Sequence, residues 1–155
     1  MSTRTMVLMA TALLVVLAAA FGWVVLRSHS TPAPDGRVEI SVTPAEREFV
    51  LGEMRNMLAT VQRITDGLAS GKMEQVAQAA RASGALGMAV EPALMLKLPA
   101  PFKQFSTQLH AGFDGMADAA QAGASAEALL GRLNGQLGAC VGCHAAYRMK
   151  ATEAR

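Results

Sequence analysis

The chain has 155 residues, a formal net charge of +2, 17% charged and 52% apolar residues, and two cysteines. That length holds one domain of modest size, and so small a net charge excludes a nucleic-acid binder that works by bulk electrostatics. Two cysteines in one short motif exclude a disulfide framework.

The first element in chain order is Met6 to Leu26, which contains no charged residue. About 20 apolar residues in a helix match the hydrocarbon core of a bilayer. Arg4 precedes the stretch as in an export signal, and Ala18-Ala19-Ala20 offers a small-residue cleavage site. Cutting there would leave Phe21 to Leu26 as an apolar stub, and Trp23 suits an interfacial anchor. Residues 1–27 are therefore expected to form an uncleaved signal anchor, with a cleaved signal peptide as the alternative. Arg4 on one side and Arg27 and Arg37 on the other leave its orientation open. Residues 28–43, with Pro32, Pro34, Asp35 and Gly36, lack helical periodicity and predict an extended linker. Such a linker would hold a domain tens of Å off the membrane, at roughly 3 Å per residue. No strand is expected anywhere in the chain.

Residues 44–155 predict an antiparallel bundle of four helices. Thr43-Pro44-Ala45-Glu46 is a capping box with proline at the first helical position. Behind it Val50, Met54, Met57, Val61, Ile64 and Leu68 form one apolar stripe that ends near Ser70-Gly71. Lys72 to Ser83 predicts a shorter helix with small packing residues, and Gly84 to Pro101 an apolar loop placed to cover something apolar. The third long helix starts around Pro99 to Pro101, with Phe102, Phe105, Leu109, Phe113, Met116 and Ala120 as its stripe and Gly123 at its end. Ser125 caps the last helix, whose stripe is Leu130, Leu133, Leu137, Cys140, His144 and Tyr147. Short connections favour an up-down-up-down arrangement.

That last helix carries Cys140-Val141-Gly142-Cys143-His144. C-x-x-C-H is the attachment pattern of a c-type haem, in which two thiols add to the vinyl groups and the adjacent histidine ligates iron. At i, i+3 and i+4 on a helix the three side chains share a face. A zinc site would need another pair of ligands, and the chain offers no further cysteine and three histidines in all. A dithiol redox site would want a strand–helix setting. Haem attachment to such a motif occurs on the outer side of the bacterial inner membrane, so the domain is expected in the periplasm with either treatment of the anchor.

Four helices with Cys140-Val141-Gly142-Cys143-His144-Ala145-Ala146-Tyr147-Arg148 at the end of the last resemble the class II c-type cytochromes, the cytochrome c′ group. The resemblance covers about Pro44 to Lys150. It implies one covalent haem c, with His144 as proximal ligand and the distal face toward the first bundle helix. There Met54 is the candidate sixth ligand, Met57 lies one turn further on, and His110 is the rival from the third helix. Tyr147 is expected to pack on the porphyrin edge. Arg148 either approaches a haem propionate or serves as a cation at the helix end.

The leading expectation is a membrane-tethered, periplasm-facing mono-haem cytochrome that relays single electrons through His/Met-ligated low-spin iron. Its partners would be redox proteins of the inner membrane or periplasm, with a homodimer possible and no nucleic acid. A second expectation is a high-spin, five-coordinate protein binding NO or CO. A third, outside haem chemistry, is a small dithiol or metal-binding helical protein. No acid–base pair or nucleophile constellation is read, so no enzyme activity is expected.

Overall fold

The computed structural model describes residues 2–26, 30–84 and 91–152. Six helices and a three-stranded sheet occur among them. In chain order they are α1 (Thr3–Leu26), β1 (Ser30–Pro32), β2 (Val38–Val42), α2 (Pro44–Ala69), α3 (Met73–Ala82), α4 (Pro92–Lys97), α5 (Ala100–Gln121), α6 (Ala126–Ala146) and β3 (Tyr147–Ala151). The protein is mostly helical, and its amino-terminal helix is apolar. His29 and part of the expected loop before Pro101 lie outside the described residues.

α1 is long and apolar enough to cross a membrane over Thr3–Trp23, and none of that stretch is buried in the protein. A signal sequence has the same character.

α2 starts where its cap requires. Glu46 N–H donates to Thr43 Oγ1 at 3.2 Å, and Thr43 N–H donates back to Glu46 Oε2 at 2.7 Å. The stripe of α2 buries Met57 and Ile64 and half-buries Val50, Met54, Val61 and Leu68. α3 packs between α2 and α5, and Gly67 makes this possible, since a Cβ there would meet Val76 Cγ2 at 2.8 Å. Gly71 (φ +67) and Gly123 (φ +81) take the left-handed conformations that reverse the chain after α2 and α5. α5 buries Leu109, Phe113, Met116 and Ala120 of the expected stripe and half-buries Phe102 and Phe105. α6 buries Leu129 and Leu133, whereas Leu130 and Leu137 of its expected stripe are exposed.

The sheet was not anticipated. The expected linker, residues 28–43, contributes β1 and β2, which pair antiparallel around a turn at Gly36 (φ +83). β2 then pairs in parallel with β3, from Val38 opposite Tyr147 to Val42 opposite Ala151. The chain therefore leaves helical geometry at Tyr147 and runs as a strand. Residues 27–29 are all that separate α1 from β1.

Two apolar cores result. The larger joins α2, α3, α5 and α6 around Ile64, Val76, Phe113, Met116 and Leu129. The smaller joins Ile40 and Val42 of the sheet to Leu94 and Leu98, with Val50, Phe102, Tyr147 and Met149 against it. Phe113 is 1% exposed at the centre of the larger core, so Phe113→Ala should lower unfolding free energy by about 3–5 kcal/mol in urea titration.

Lys97 Nζ ties α4 to the start of α2, lying 2.7 and 2.8 Å from the Glu46 carboxylate oxygens. Burial pushes the Glu46 carboxyl up, but hydrogen bonds from Lys97 and Thr43 outweigh it and hold the group below its ordinary 4.5. A depressed carboxyl stabilises the fold above pH 4.5 and loses that contribution as pH falls through its lowered value. Lys97→Met should accordingly destabilise the protein at pH 7, and the deficit against the parent should shrink in denaturation curves recorded in progressively stronger acid.

Candidate haem cavity

Between the two cores lies a cavity of about 420 Å³. Its walls are hydrocarbon almost throughout. α2 provides Val50, Met54, Met57 and Val61, and α5 provides Phe102, Phe105, Leu109 and Phe113. Leu94 and Leu98 close one end, so part of the expected apolar loop does cover an apolar space, while Leu96 points outward at 71% exposure. A space of this size and lining falls in the usual range for small-molecule sites.

The last turns of α6 bring Cys140, Cys143 and His144 to this cavity, along with Leu137 and Ala139. Both cysteines are free and half-buried, and His144 is exposed at the cavity edge rather than inside the core. The same cavity is lined from α2 by Met54, half-buried, and Met57, buried. The structure thus gathers two thiols, an imidazole and two thioethers around one apolar space. These groups can hold a flat apolar macrocycle by covalent bonds at one edge and axial donors on its faces. Among the described residues, no group of three or more His, Cys, Asp or Glu is placed to hold a metal ion.

His110, the rival ligand from the third helix, is drawn into the core. It is 5% exposed and lines the cavity from α5. Its Nδ1 lies 2.7 Å from the Ser83 carbonyl oxygen. A carbonyl only accepts, so Nδ1 is the donor in this contact.

Tyr147 and Arg148 stand outside the cavity lining. Tyr147 backs the wall instead, meeting Phe102 edge-on with ring centroids 5.4 Å apart and planes at 83°. Arg148 is engaged by the sheet, 3.3 Å from Asp35 Oδ2 and 3.4 Å from Glu39 Oε2. Arg37 shares Asp35 at 2.8 Å and reaches the His144 carbonyl at 3.5 Å. Hydrogen bonding from Arg37 holds the Asp35 carboxyl down to about 2. This cluster fixes the end of α6 to β2, and the sequence signal for it was the alternation in Val38-Glu39-Ile40-Ser41-Val42.

Compared with protein-family models, curated proteins and solved structures, the chain matches none.

Burial pushes both thiols above the ordinary cysteine value, and Cys140 raises Cys143 further. The polypeptide without cofactor should therefore be alkylated by iodoacetamide at pH 7 more slowly than a free cysteine peptide. Mass spectrometry should show the difference closing after denaturation in urea.

Proposed function

We propose that this protein is a membrane-tethered, periplasm-facing mono-haem c-type cytochrome of the class II kind, carrying single electrons on iron ligated by His144 and Met54. The observation that carries the reading is the apolar cavity with the C-x-x-C-H side chains on one wall and methionine thioethers on the other. The groups present fit the cofactor: Cys140 and Cys143 are free thiols for its vinyl groups, His144 adjoins them, and the walls match an apolar disc. When bound, haem c supplies a reversible ferric–ferrous couple.

The chain's own residues would do the rest. Phe102, Phe105, Leu109 and Phe113 would exclude water from the cofactor's faces. Methionine ligation from Met54 would hold the potential above that of bis-histidine iron. The sheet cluster around Asp35 and Arg148 would keep the proximal histidine in place during each cycle, so that little rearrangement accompanies electron transfer. A tether that retains α1 would keep the carrier beside membrane redox partners at high effective concentration.

The rival reading, an open five-coordinate iron for NO or CO, uses the same apolar wall with the thioethers as packing. Visible spectra of the haem-loaded full chain separate the two. The expected result is a covalent haem mass and a low-spin ferrous spectrum that carbon monoxide leaves unmoved. Met54→Ala should turn that spectrum high-spin and CO-responsive, and His110→Ala should not. A full CO shift in the unsubstituted protein would favour gas binding, and a missing haem mass would sink both.

A further inference from the structure

A second cavity of about 200 Å³ adjoins the first and shares Glu53, Met57 and His110 with it. Its character is the opposite of its neighbour's. Asn56, Thr60, Arg63 and Ser83 line the remainder, together with Ala82. Thr60, Ser83 and His110 are each more than nine-tenths buried, at 0%, 8% and 5% exposure. So many buried polar groups in the wall of a helical bundle require partners. The Thr60 and Ser83 hydroxyl oxygens are 2.6 Å apart, Arg63 Nη2 donates to Thr60 Oγ1 at 3.3 Å, and His110 Nδ1 donates to the Ser83 carbonyl. The donors left to a further group are the rest of the Arg63 guanidinium and the Asn56 amide, which otherwise reaches Glu53 Oε1 at 3.4 Å.

This annex draws on α2, the end of α3 with Ser83 beyond it, and α5, and on no residue of α6. The combined space therefore has two unlike ends, thiols on the α6 wall and a guanidinium with an amide in the annex. Haem has the same asymmetry. Its vinyl groups lie toward one edge and its two carboxylates toward the opposite one. A carboxylate drawn into a protein needs charge-assisted donors to offset its lost hydration.

We infer that the annex seats a carboxylate of the macrocycle, with Arg63 and Asn56 as its donors; the inference rests on the haem reading above. The competing cations are placed less well. Arg148 is held by Asp35 and Glu39 outside both cavities. Arg55 lines only the main cavity and lies 3.8 Å from Glu48, whereas Arg63, exposed as Arg55 is, lines the annex itself. Glu53 stands in the annex with a like charge, so it opposes the carboxylate and its removal should strengthen the contact.

The test is reduced-minus-oxidised infrared difference spectroscopy of the haem-loaded full chain, with haem carrying ¹³C at its propionate carboxyls. The labelled carboxylate band should shift in Arg63→Gln and in Asn56→Ala. It should shift the opposite way in Glu53→Gln and stay in place in Arg148→Gln. Arg63→Lys should restore part of the parent band, and unchanged helical circular dichroism in Arg63→Gln would show that folding is intact. A band that ignores Arg63→Gln but moves with Arg55→Gln or Arg148→Gln would overturn the assignment. So would a band indifferent to all of them, with a visible spectrum that saturates on adding acetate, since the annex would then take a free anion. Absence of a covalent haem mass would overturn the haem reading itself, which the mass measurement reports separately.

Discussion

The structure is organised around an apolar gap between its two cores. α6 leans on α5 and meets α2 at few points, so the α2 and α6 walls of the cavity stay apart. On one side the larger core fixes α2, α3 and α5, and on the other the sheet fixes the start of α2 and the end of α6. A closed hydrocarbon cavity of about 420 Å³ would cost about 10 kcal/mol at the rate measured for engineered voids, comparable to the whole stability of a small domain. An open groove costs less, but the direction is the same. The walls are apolar almost throughout, and an apolar occupant would join two modest cores into one.

The sheet is what makes the gap directional. Parallel pairing of β2 with β3 brings residues more than 100 positions apart into register and ties Tyr147, Arg148 and Met149, which begin three residues after His144, to Val38, Glu39 and Ile40. Glu39 illustrates the local chemistry. It is 8% exposed in a strand whose neighbours Ile40 and Val42 are fully buried, and its charge is met by Arg148 and Lys150. One buried carboxylate between two cations is tolerable where an unpaired one would not be. Arg148 is thus a structural cation of the sheet, although its spacing after His144 also suited a cofactor contact.

Helical parts of the fold were legible because their signals are local. The capping box at Thr43, the stripe through Phe113 and the serine cap at Ser125, whose Oγ accepts from Ala128 N–H at 3.2 Å, each lie within a few residues of the feature they specify. The sheet was harder to read, because the alternation in Val38-Glu39-Ile40-Ser41-Val42 spans only five residues and its partner strand lies at the other end of the chain. Tyr147 misled for the same reason, since its spacing continues the stripe of α6 while its backbone has already become a strand. Of the candidate site, Cys140, Cys143 and His144 could be named from the motif, and Met54 and Met57 from the family resemblance that the motif carries. The polar annex could not, since Asn56, Thr60, Ser83 and His110 come from three segments and none belongs to a motif.

His110 shows how the two cavities constrain the choice of axial ligand on the proposed reading. A ligating histidine commonly donates its other ring N–H to a backbone carbonyl, and His110 makes such a bond to Ser83. That geometry alone would favour it over a thioether. However, Ser83 also partners Thr60, which accepts from Arg63, so the same bond anchors the polar wall between the cavities. Moving the ring toward an iron would strain a network in which Thr60 is fully buried. Met54 carries no such obligation. Its flexible side chain belongs to the rim of the core and can extend into the cavity without unpairing any polar group. The burial that makes His110 conspicuous is accounted for by the wall it holds, and on the proposed reading the less constrained methionine is left to meet the metal.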